Sequence, residues 1–332
     1  MEITVRNVNQ AFSEIFWKLR VANLQPEETR NGPALVFPEP VTTTYLKPTE
    51  RVLFHAGRDA NPIFHLMEAI WMLAGRNDVA FLEQFNRKIE QYSDDGEVFN
   101  AAYGHRWRKH FGHDQLIEVI NLLRKDPRSR QAVIQMWDDK DLTKETKDKA
   151  CNTQVVFSIR GGFFLDMTVF NRSNDIWWGA YGANAVHFSV LQEFVATSVG
   201  MQVGVYRQIS NNLHLYTELY DAEKYINTPP NDNIYDHYTN CLVKPLPLML
   251  DGHYQSFLWD AEEFCTKPFN DKVVYRHPFF QGVAVPMATV SAMRRGKVTD
   301  GKGYAAKIKA SDWKNATIQW INNREAKKQS KV

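Results

Sequence analysis

The spacing of apolar residues along the chain predicts several amphipathic helices. Between Asn61 and Gly75, apolar residues recur at helical spacing. Asn61 is suited to cap the first turn, Pro62 to begin it and Gly75 to end the helix. The same period begins again after Asp114 and at Asn184. These patterns predict three helices with clear boundaries.

Between the second and third helical segments, the pattern changes to that of β strands. AVIQMW, residues 132–137, predicts one strand, and QVVFSIR and FFLDMTVFNRS predict two more on either side of Gly161 and Gly162. The two glycines are typical of a two-residue hairpin, so the second and third strands are expected to be antiparallel. Helices beside consecutive hairpin strands predict an α+β fold rather than repeated βαβ units.

Composition agrees with a globular chain that has a full core, because 332 residues are 44% hydrophobic. No apolar run approaches the roughly 18 residues of a membrane helix, and the first residues lack the order of a signal peptide. We therefore expect a cytoplasmic protein without membrane contact. The three cysteines Cys151, Cys241 and Cys265 are far apart, which argues against disulfides and against a cysteine zinc site.

Charge is unevenly distributed, although the net charge is only +2. Residues 294–332 hold eleven Lys and Arg against three acids. This pattern predicts two regions, a catalytic domain over 1–290 and a basic C-terminal extension over 291–332. Ser311 followed by Trp313 and Trp320 at helical spacing predicts a short capped helix that docks on the body. A basic run is usually a solvated face, so we expect no specific nucleic-acid binding.

Cys151 lies immediately before a predicted buried strand, and its role is open on local grounds alone. An unpaired cysteine is usually a small core residue. The predicted hairpin, however, brings Arg172 next to Cys151, where a guanidinium would favour the thiolate and could also bind a phosphate. Alternatively, Arg172 pairs structurally with Asp175. Glu68 and His65 share a helix, but without a second such pair we expect no metal site.

A set of motifs distributed along the chain resembles the thymidylate synthase superfamily. They occur in that family's order from about residue 30 to about residue 216, and they are HLMEAIWMLAG, AAYGHRW, DPRSRQAVIQMW, ACN, FNRSND, AN before a helix, and NNLHLY. The resemblance implies a mixed or antiparallel sheet covered by helices, with a sheet face forming a homodimer interface. It also implies that Cys151 is a nucleophile with a low thiol pKa, which adds to C6 of a pyrimidine nucleoside monophosphate.

The same resemblance implies roles for the other matched residues. Glu68 would transfer protons at the base, Asn152 replaces a histidine of the family next to the nucleophile, and Asp175 would contact the folate. The nucleotide phosphate would be bound by Arg172, Ser173, Arg30 and, from the partner subunit, Arg130. The base and sugar would be bound by Asn184, His214 and Tyr216, although Asn184 could instead act only as a helix cap.

Departures from the synthases favour a particular reaction. In the synthases, tryptophans shield an exocyclic methylene intermediate, but KIEQYSDDGEVFN, residues 88–100, contains none. Water would then reach the intermediate. An asparagine soon after the cysteine, together with RSND, resembles the phage deoxypyrimidine hydroxymethylases, which transfer a one-carbon unit from 5,10-methylenetetrahydrofolate and add water. We therefore expect a hydroxymethyltransferase, acting in the host cytoplasm if phage-encoded.

The amide of Asn184 matches the donor and acceptor of uracil, which favours dUMP as the substrate. A dCMP or CMP hydroxymethylase and a thymidylate synthase that forms dTMP remain alternatives. A different class of function is an inactive member of the family whose basic tail binds nucleic acid.

Overall fold

The computed structural model describes residues 1–219, 222–228, 236–270, 272–294 and 301–329. Its strands form two sheets, one of six strands in the order β1-β4-β9-β7-β6-β5 and one of four in the order β2-β3-β10-β8. The strands are β1 (Glu2–Val5), β2 (Pro26–Glu27), β3 (Ala34–Val36), β4 (Val41–Tyr45), β5 (Val133–Gln135), β6 (Asn152–Arg160), β7 (Phe164–Asn171), β8 (Asn174–Asp175), β9 (Gln202–Ser210) and β10 (Leu213–Tyr216).

The helices pack in layers on the larger sheet: α6 lies against β7 and β9, and α2 lies against α6. Among the described residues, no helix is both long and apolar enough to cross a bilayer. The helices are α1 (Val8–Ala22), α2 (Pro62–Leu73), α3 (Val79–Leu82), α4 (Tyr103–His105), α5 (Gln115–Lys125), α6 (Asn184–Ser198), α7 (Ala222–Asn227), α8 (Tyr254–Thr266), α9 (Val285–Arg294), α10 (Gly301–Ala305) and α11 (Ser311–Gln329).

The α+β fold expected from the pattern is confirmed, and the larger sheet is mixed. β6 pairs antiparallel with both β5 and β7, whereas β7 pairs parallel with β9. Alternate residues of β6 and β7 are buried under the helices, and those between them are largely half-buried. This alternation is typical of a sheet with one face in the core.

The three predicted helices begin where the sequence signals place them, α2 after Asn61, α5 after Asp114 and α6 at Asn184. The side chain of Asn61 accepts a hydrogen bond from the N–H of Phe64 at 3.1 Å, and Asp114 accepts one from Ile117 at 3.2 Å. The chain leaves α2 through Gly75 at φ +66°, a conformation that favours glycine. Because a cap satisfies N–H groups that the helix leaves unpaired, these local signals were sufficient.

The hairpin between β6 and β7 differs from the expected two-residue turn. Arg160 pairs with Phe164, and the loop between them has three residues, since Phe163 follows the two glycines. The N–H of Phe163 donates to the carbonyl of Arg160 at 3.1 Å, and both glycines have positive φ. The glycines were therefore correctly placed in the turn, but its length was underestimated by one residue.

The basic extension ends in helix α11, which packs on the body of the protein. Trp313, Trp320 and Ile321 are buried in the common core. Ser311 is the first residue of the helix rather than its cap. Its hydroxyl instead bonds the backbone of Lys244, accepting from the N–H at 3.0 Å and donating to the carbonyl at 3.2 Å. The expected cap at Ser311 was thus wrong, because tertiary contact supplied a competing partner.

Two ion pairs and a buried carboxylate further attach α11 to the body. Arg324 and Lys327 contact Asp59 at 2.8 and 2.7 Å. Asp312 is buried and accepts a hydrogen bond from the hydroxyl of Tyr238 at 3.0 Å. Burial raises the pKa of Asp312 to about 6, even though its hydrogen bonds and the charge of Arg51 oppose the rise. A charged carboxylate at this position therefore disfavours the docked helix.

We predict that Asp312→Asn changes how stability depends on pH. A buried acid with a raised pKa holds its proton more strongly in the folded chain, so its contribution to stability falls as pH rises from about 4 to about 6. An asparagine does not ionise and keeps an acceptor for the N–H of Trp313. Relative to wild type, the variant should gain up to about 3 kcal/mol in unfolding free energy between pH 4 and pH 7.

Denaturant unfolding of both proteins across this pH range measures the difference. Asp251→Asn, at an exposed aspartate, is the matched control and should show no such trend. A wild-type-minus-variant difference that stays constant with pH would contradict the assignment.

Candidate active site

Cys151 lies at the point where the chain enters β6, next to an irregularity in the sheet. The register between β6 and β7 shifts between Asn152 and Gln154. Bulges of this kind redirect side chains and often occur near active sites. Of the three cysteines, Cys265 is buried, Cys241 is exposed and Cys151 is half-buried. Cys151 is thus held by the sheet and remains partly accessible.

The expected proximity of Arg172 and Cys151 is confirmed. The N–H of Arg172 donates to the carbonyl of Cys151 at 2.9 Å across the two strands. Its guanidinium Nη2 lies 3.7 Å from Cys151 Sγ, and its Nε donates to the carbonyl of Ala150 at 2.8 Å. Trp137 lies beneath the same guanidinium, 5.6 Å from its ring centre. These contacts fix the cation beside the sulfur.

The electrostatic environment of Cys151 does not match the expected low thiol pKa. Burial is the largest influence and raises the pKa of the Cys151 thiol above its usual range. The charge of Arg172 lowers it, the charge of Asp148 raises it, and Arg30 lowers it to a smaller extent. The expectation of a low thiol pKa was therefore wrong for the protein alone, since a buried thiolate loses hydration that the two nearby cations do not replace.

Tyr103 also contacts Cys151, through the backbone. Its hydroxyl oxygen accepts hydrogen bonds from the N–H groups of Cys151 at 3.2 Å and Asn152 at 3.3 Å. Burial raises the pKa of Tyr103, so the hydroxyl stays protonated. The side chain of Asn152 is buried near that hydroxyl, and neither of its polar atoms has a well-aligned partner among the described residues. Its amide is thus available for a further hydrogen bond.

A cavity of about 220 Å³ lies beside this group and is lined by Tyr103, Glu68, Asn184, His187 and Asp148, with apolar walls. Glu68 lies on α2, and its side chain is 19% exposed, as expected for a carboxylate that faces a cavity. His187 Nε2 lies 3.2 Å from Glu68 Oε2, without hydrogen-bond alignment. The expected inward position of Glu68 is consistent with this geometry.

The amide of Asn184 is oriented by two other side chains. Asn184 Nδ2 donates to Asn174 Oδ1 at 3.1 Å, and Asn174 Nδ2 donates to the hydroxyl of Ser210 at 3.0 Å. One N–H of Asn184 is used in this way, which leaves a second N–H and the carbonyl oxygen for the cavity. The alternative role as a helix cap was wrong: a helical turn over Ile176–Ala183 runs directly into α6, and the side chain caps nothing.

A second, more open cleft of about 710 Å³ adjoins this cavity and contains Arg30, Asp175, Trp178, Tyr216 and Tyr92 among its lining residues. Tyr92 lines both spaces. The Asp175 carboxylate accepts hydrogen bonds from the N–H groups of Trp177 at 3.2 Å and Trp178 at 2.7 Å. It therefore caps the following turn. Its structural pairing with Arg172, an alternative from the sequence, is not what the geometry shows.

Four predicted residues remain: His214 and Tyr216 lie on β10, and Ser173 and Arg130 lie elsewhere in the chain. His214 pairs with Asp175 between β10 and β8, is buried, and stacks edge-on against Tyr216 at 4.9 Å. Burial lowers the pKa of His214, so the imidazole is neutral near pH 7. Ser173 is half-buried beside Arg172, whereas Arg130 is exposed. Arg130 thus lies at the surface of the described chain.

Sequence reasoning missed His187, Tyr103 and Asp148, which all line the cavity. His187 lies one turn after Asn184 on α6, so the helical period could have placed it on the same face. Tyr103 lies within AAYGHRW, a motif noted only for resemblance. Among the described residues, no three His, Cys, Asp or Glu side chains are close enough to bind a metal.

Residues 88–100 form part of the cavity wall, which is where their lack of tryptophan matters. Ile89, Tyr92 and Phe99 contribute to the lining. One tryptophan, Trp71 of α2, does line the cavity, and its indole N–H donates to Asp78 at 3.3 Å. The cavity wall is therefore partly aromatic, but it also includes the carboxylates of Glu68 and Asp148.

The fold and site define an α+β protein with a cysteine beside an arginine, at the edge of a cavity that contains further ionisable groups. The family model described as thymidylate synthase matches residues 58–233. This chain belongs to the thymidylate synthase family.

Individual relatives are consistent with this family assignment. A deoxyuridylate hydroxymethyltransferase of Pseudomonas phage M6 is 45% identical, covering 98% of this chain and 94% of the relative. One of Bacillus phage SP01 is 41% identical over 55% of this chain and 51% of the relative. The crystal structure of thymidylate synthase from T4 phage shares the fold, with a TM-score of 0.52 and 22% identity over 62% of this chain and 76% of that one.

We predict that Arg172→Gln makes Cys151 less reactive. Removing the cation 3.7 Å from the sulfur should raise the thiol pKa and slow alkylation by iodoacetamide at pH 8 by roughly threefold to tenfold. Alkylation of Cys151 can be followed by peptide mass spectrometry. The matched control is Arg207→Gln, since Arg207 pairs with Asp166 on the same sheet. Equal rates in all three proteins would mean that Arg172 does not stabilise the thiolate.

Proposed function

We propose that this protein transfers a hydroxymethyl group to C5 of dUMP, with 5,10-methylenetetrahydrofolate as the one-carbon donor. The observation that carries the proposal is the ionisable cavity beside Cys151 and Arg172, in a chain 45% identical over nearly its full length to a phage deoxyuridylate hydroxymethyltransferase. Family membership supports the reaction class, and the lining of the cavity supports water as the final acceptor.

The nucleotide phosphate would be bound where cations and donors converge near the sulfur. Arg172 has its guanidinium at this point and Ser173 follows it, while Arg30 lies close enough to influence Cys151. A guanidinium fork suits phosphate oxygens. His214 and Tyr216 would bind the sugar hydroxyl from the neighbouring strand β10. A bound phosphate is negatively charged and would not favour a thiolate nearby. Arg172 would therefore have to bind the phosphate and stabilise the Cys151 thiolate.

The open cleft suits a folate. Trp178 and Tyr92 offer aromatic surfaces on which a pterin ring can stack, and Asp175 is a carboxylate at the same cleft. The bound folate would supply the one-carbon unit. Trp178 is 48% exposed, so part of its ring surface is open to a ligand.

The chain's own residues would carry out the remaining steps. Cys151 Sγ forms a bond with C6 of the uracil, and C5 then becomes nucleophilic enough to accept the one-carbon unit. Glu68 would transfer protons at the base, assisted by His187 at 3.2 Å. Tyr103 and Asn152 lie beside the sulfur and would stabilise the adduct through hydrogen bonds.

Loss of the C5 proton and cleavage of the bond between the one-carbon unit and the folate nitrogen would release tetrahydrofolate and leave an exocyclic methylene. Water would then add to this methylene. In this protein, residues 88–100 provide no tryptophan to exclude water from the methylene. Addition of water forms the C–OH bond, and the electrons move through the ring to expel Cys151. The product would be 5-hydroxymethyl-dUMP with tetrahydrofolate released.

Uracil is favoured by the orientation of Asn184. Asn174 holds one of its N–H groups, so the other N–H and the carbonyl oxygen match O4 and N3–H of uracil. Cytosine presents the opposite pattern at these atoms.

A homodimer would complete the site. The half-buried face of β6 and β7 would form the interface, and Arg130, exposed in the single chain, would reach the partner's phosphate site.

We predict that purified protein with methylenetetrahydrofolate converts dUMP to a product heavier by one formaldehyde unit. Mass spectrometry of the nucleotide identifies it, and dCMP and CMP are tested in parallel. Cys151→Ala should abolish turnover, and Cys241→Ala, at an exposed cysteine, should not. Conversion of dCMP instead would reassign the base. A methylene unit gained with dihydrofolate formed would identify a thymidylate synthase, and no turnover would favour an inactive homologue.

We predict that Asn184→Asp lowers kcat/KM for dUMP at least tenfold and lowers it much less for dCMP. An ionised aspartate cannot donate to O4 of uracil or to Asn174 Oδ1. Steady-state kinetics with both nucleotides measures the change. A parallel loss for the two nucleotides would show that residue 184 does not read the base.

A further inference from the structure

The cavity contains a second carboxylate that the roles above do not use. Asp148 lines it together with Glu68, three residues before the nucleophile. The chemistry needs two proton transfers of different kinds, one at the base and one at the attacking water. Glu68 lies against His187 at 3.2 Å. Asp148 is not paired with a cation among the described residues.

Asp148 is held rigidly by its neighbours. Its Oδ2 accepts a hydrogen bond from the N–H of Ala101 at 2.7 Å, and its own N–H donates to the hydroxyl of Thr146 at 3.1 Å. Its carbonyl accepts from Asn100 Nδ2 at 3.0 Å. Within the described part of the chain, no group donates to Oδ1. One oxygen is therefore fixed by the backbone, while the other remains available to the cavity.

The position of Asp148 is unfavourable for the nucleophile. Its charge raises the pKa of both Cys151 and Tyr103, which indicates that it lies close to each. A carboxylate that serves only to hold a turn could face away from the thiolate. Burial raises the pKa of Asp148 itself, although the Ala101 N–H and the charge of Arg106 oppose this. A carboxylate with a raised pKa is a better proton acceptor near neutral pH.

We propose that Asp148 is the general base that activates the water added to the exocyclic methylene. Water forms a C–O bond with the methylene carbon while its proton passes to Asp148 Oδ1. The electron pair of the methylene double bond moves into the ring, and the C6–S bond breaks to release the Cys151 thiolate. Asp148 later returns its proton to solvent. This inference rests on the proposed hydroxymethyl transfer.

The test separates water addition from the earlier steps. With dUMP carrying tritium at C5, tritium is released before water adds, whereas 5-hydroxymethyl-dUMP forms only afterwards. The rates are measured in a single turnover, with enzyme in excess over dUMP. In Asp148→Asn, tritium release should then proceed at a rate within about threefold of wild type, because removing the negative charge does not impair the thiolate. Product formation should fall by at least tenfold, so the two rates separate.

A second readout does not depend on the folate. Without any ligand, Asp148→Asn should alkylate at Cys151 with iodoacetamide at lower pH than wild type, because a neighbouring negative charge is removed. An unchanged alkylation profile would contradict the closeness of Asp148 to the sulfur, and with it the proposal.

Asp94→Asn is the matched control. Asp94 accepts a hydrogen bond from the N–H of Lys147 at 2.9 Å, so it supports the same turn without lining the cavity. It should keep the wild-type ratio of product to released tritium. If Asp94→Asn separates the rates equally, or if Asp148→Asn lowers both rates in proportion, Asp148 is not the base.

The outcome for wild type distinguishes this inference from the proposed function. If wild type forms 5-hydroxymethyl-dUMP and Asp148→Asn forms it at the same rate per tritium released, only the inference fails. If wild type forms no hydroxymethyl product, the proposed function fails and the inference falls with it.

Discussion

The antiparallel pairing of β6 with β7 is the constraint on which the rest of the site depends. Asn152 pairs with Asn171, so the carbonyl of Cys151 receives the N–H of Arg172 just beyond the last strand pair. Since side chains alternate between faces, a slip of one residue would move every core residue of β6 to the opposite face. The burial of Val155 and Phe157 therefore fixes the register, and the register fixes the distance between sulfur and guanidinium.

Burial gives the site both its shape and its main electrostatic cost. Burial limits the access of water to Cys151, and the loss of hydration disfavours a thiolate. Arg172 only partly offsets the effect, and Asp148 opposes it. The Cys151 thiol thus lies among charged groups that have opposite effects on its pKa.

Orientation within the cavity depends on neighbouring hydrogen bonds. Asn174 and Ser210, which do not line the cavity, hold the amide of Asn184. The backbone N–H of Ala101, a residue of the cavity wall, holds Asp148. Such outer hydrogen bonds fix which atom of an amide or carboxylate faces a ligand. The basic extension belongs to the same packed body, since α11 contributes Trp313 and Trp320 to the common core. The segment with the excess of basic residues is thus also held to the body by buried apolar side chains.

The sequence by itself determined the main elements around the site and identified Cys151 as the candidate nucleophile. Caps at Asn61 and Asp114 and the glycines of the hairpin are local signals, because the groups that they satisfy lie within a few residues. The family motifs identified Cys151 and its neighbour Arg172. Local signals failed at Ser311 and Asn184, where partners distant along the chain competed for the side chain.

Only the tertiary structure decided the environment of the site. The raised pKa of Cys151, the contact of His187 with Glu68 and the presence of Asp148 in the cavity all depend on the distance between segments remote in sequence. Burial and Coulomb energies depend on that distance and on the exclusion of water, and neither is encoded in a motif. The sequence identified the chemical groups of the site, and tertiary packing determined how deeply they are buried and which charges lie near them.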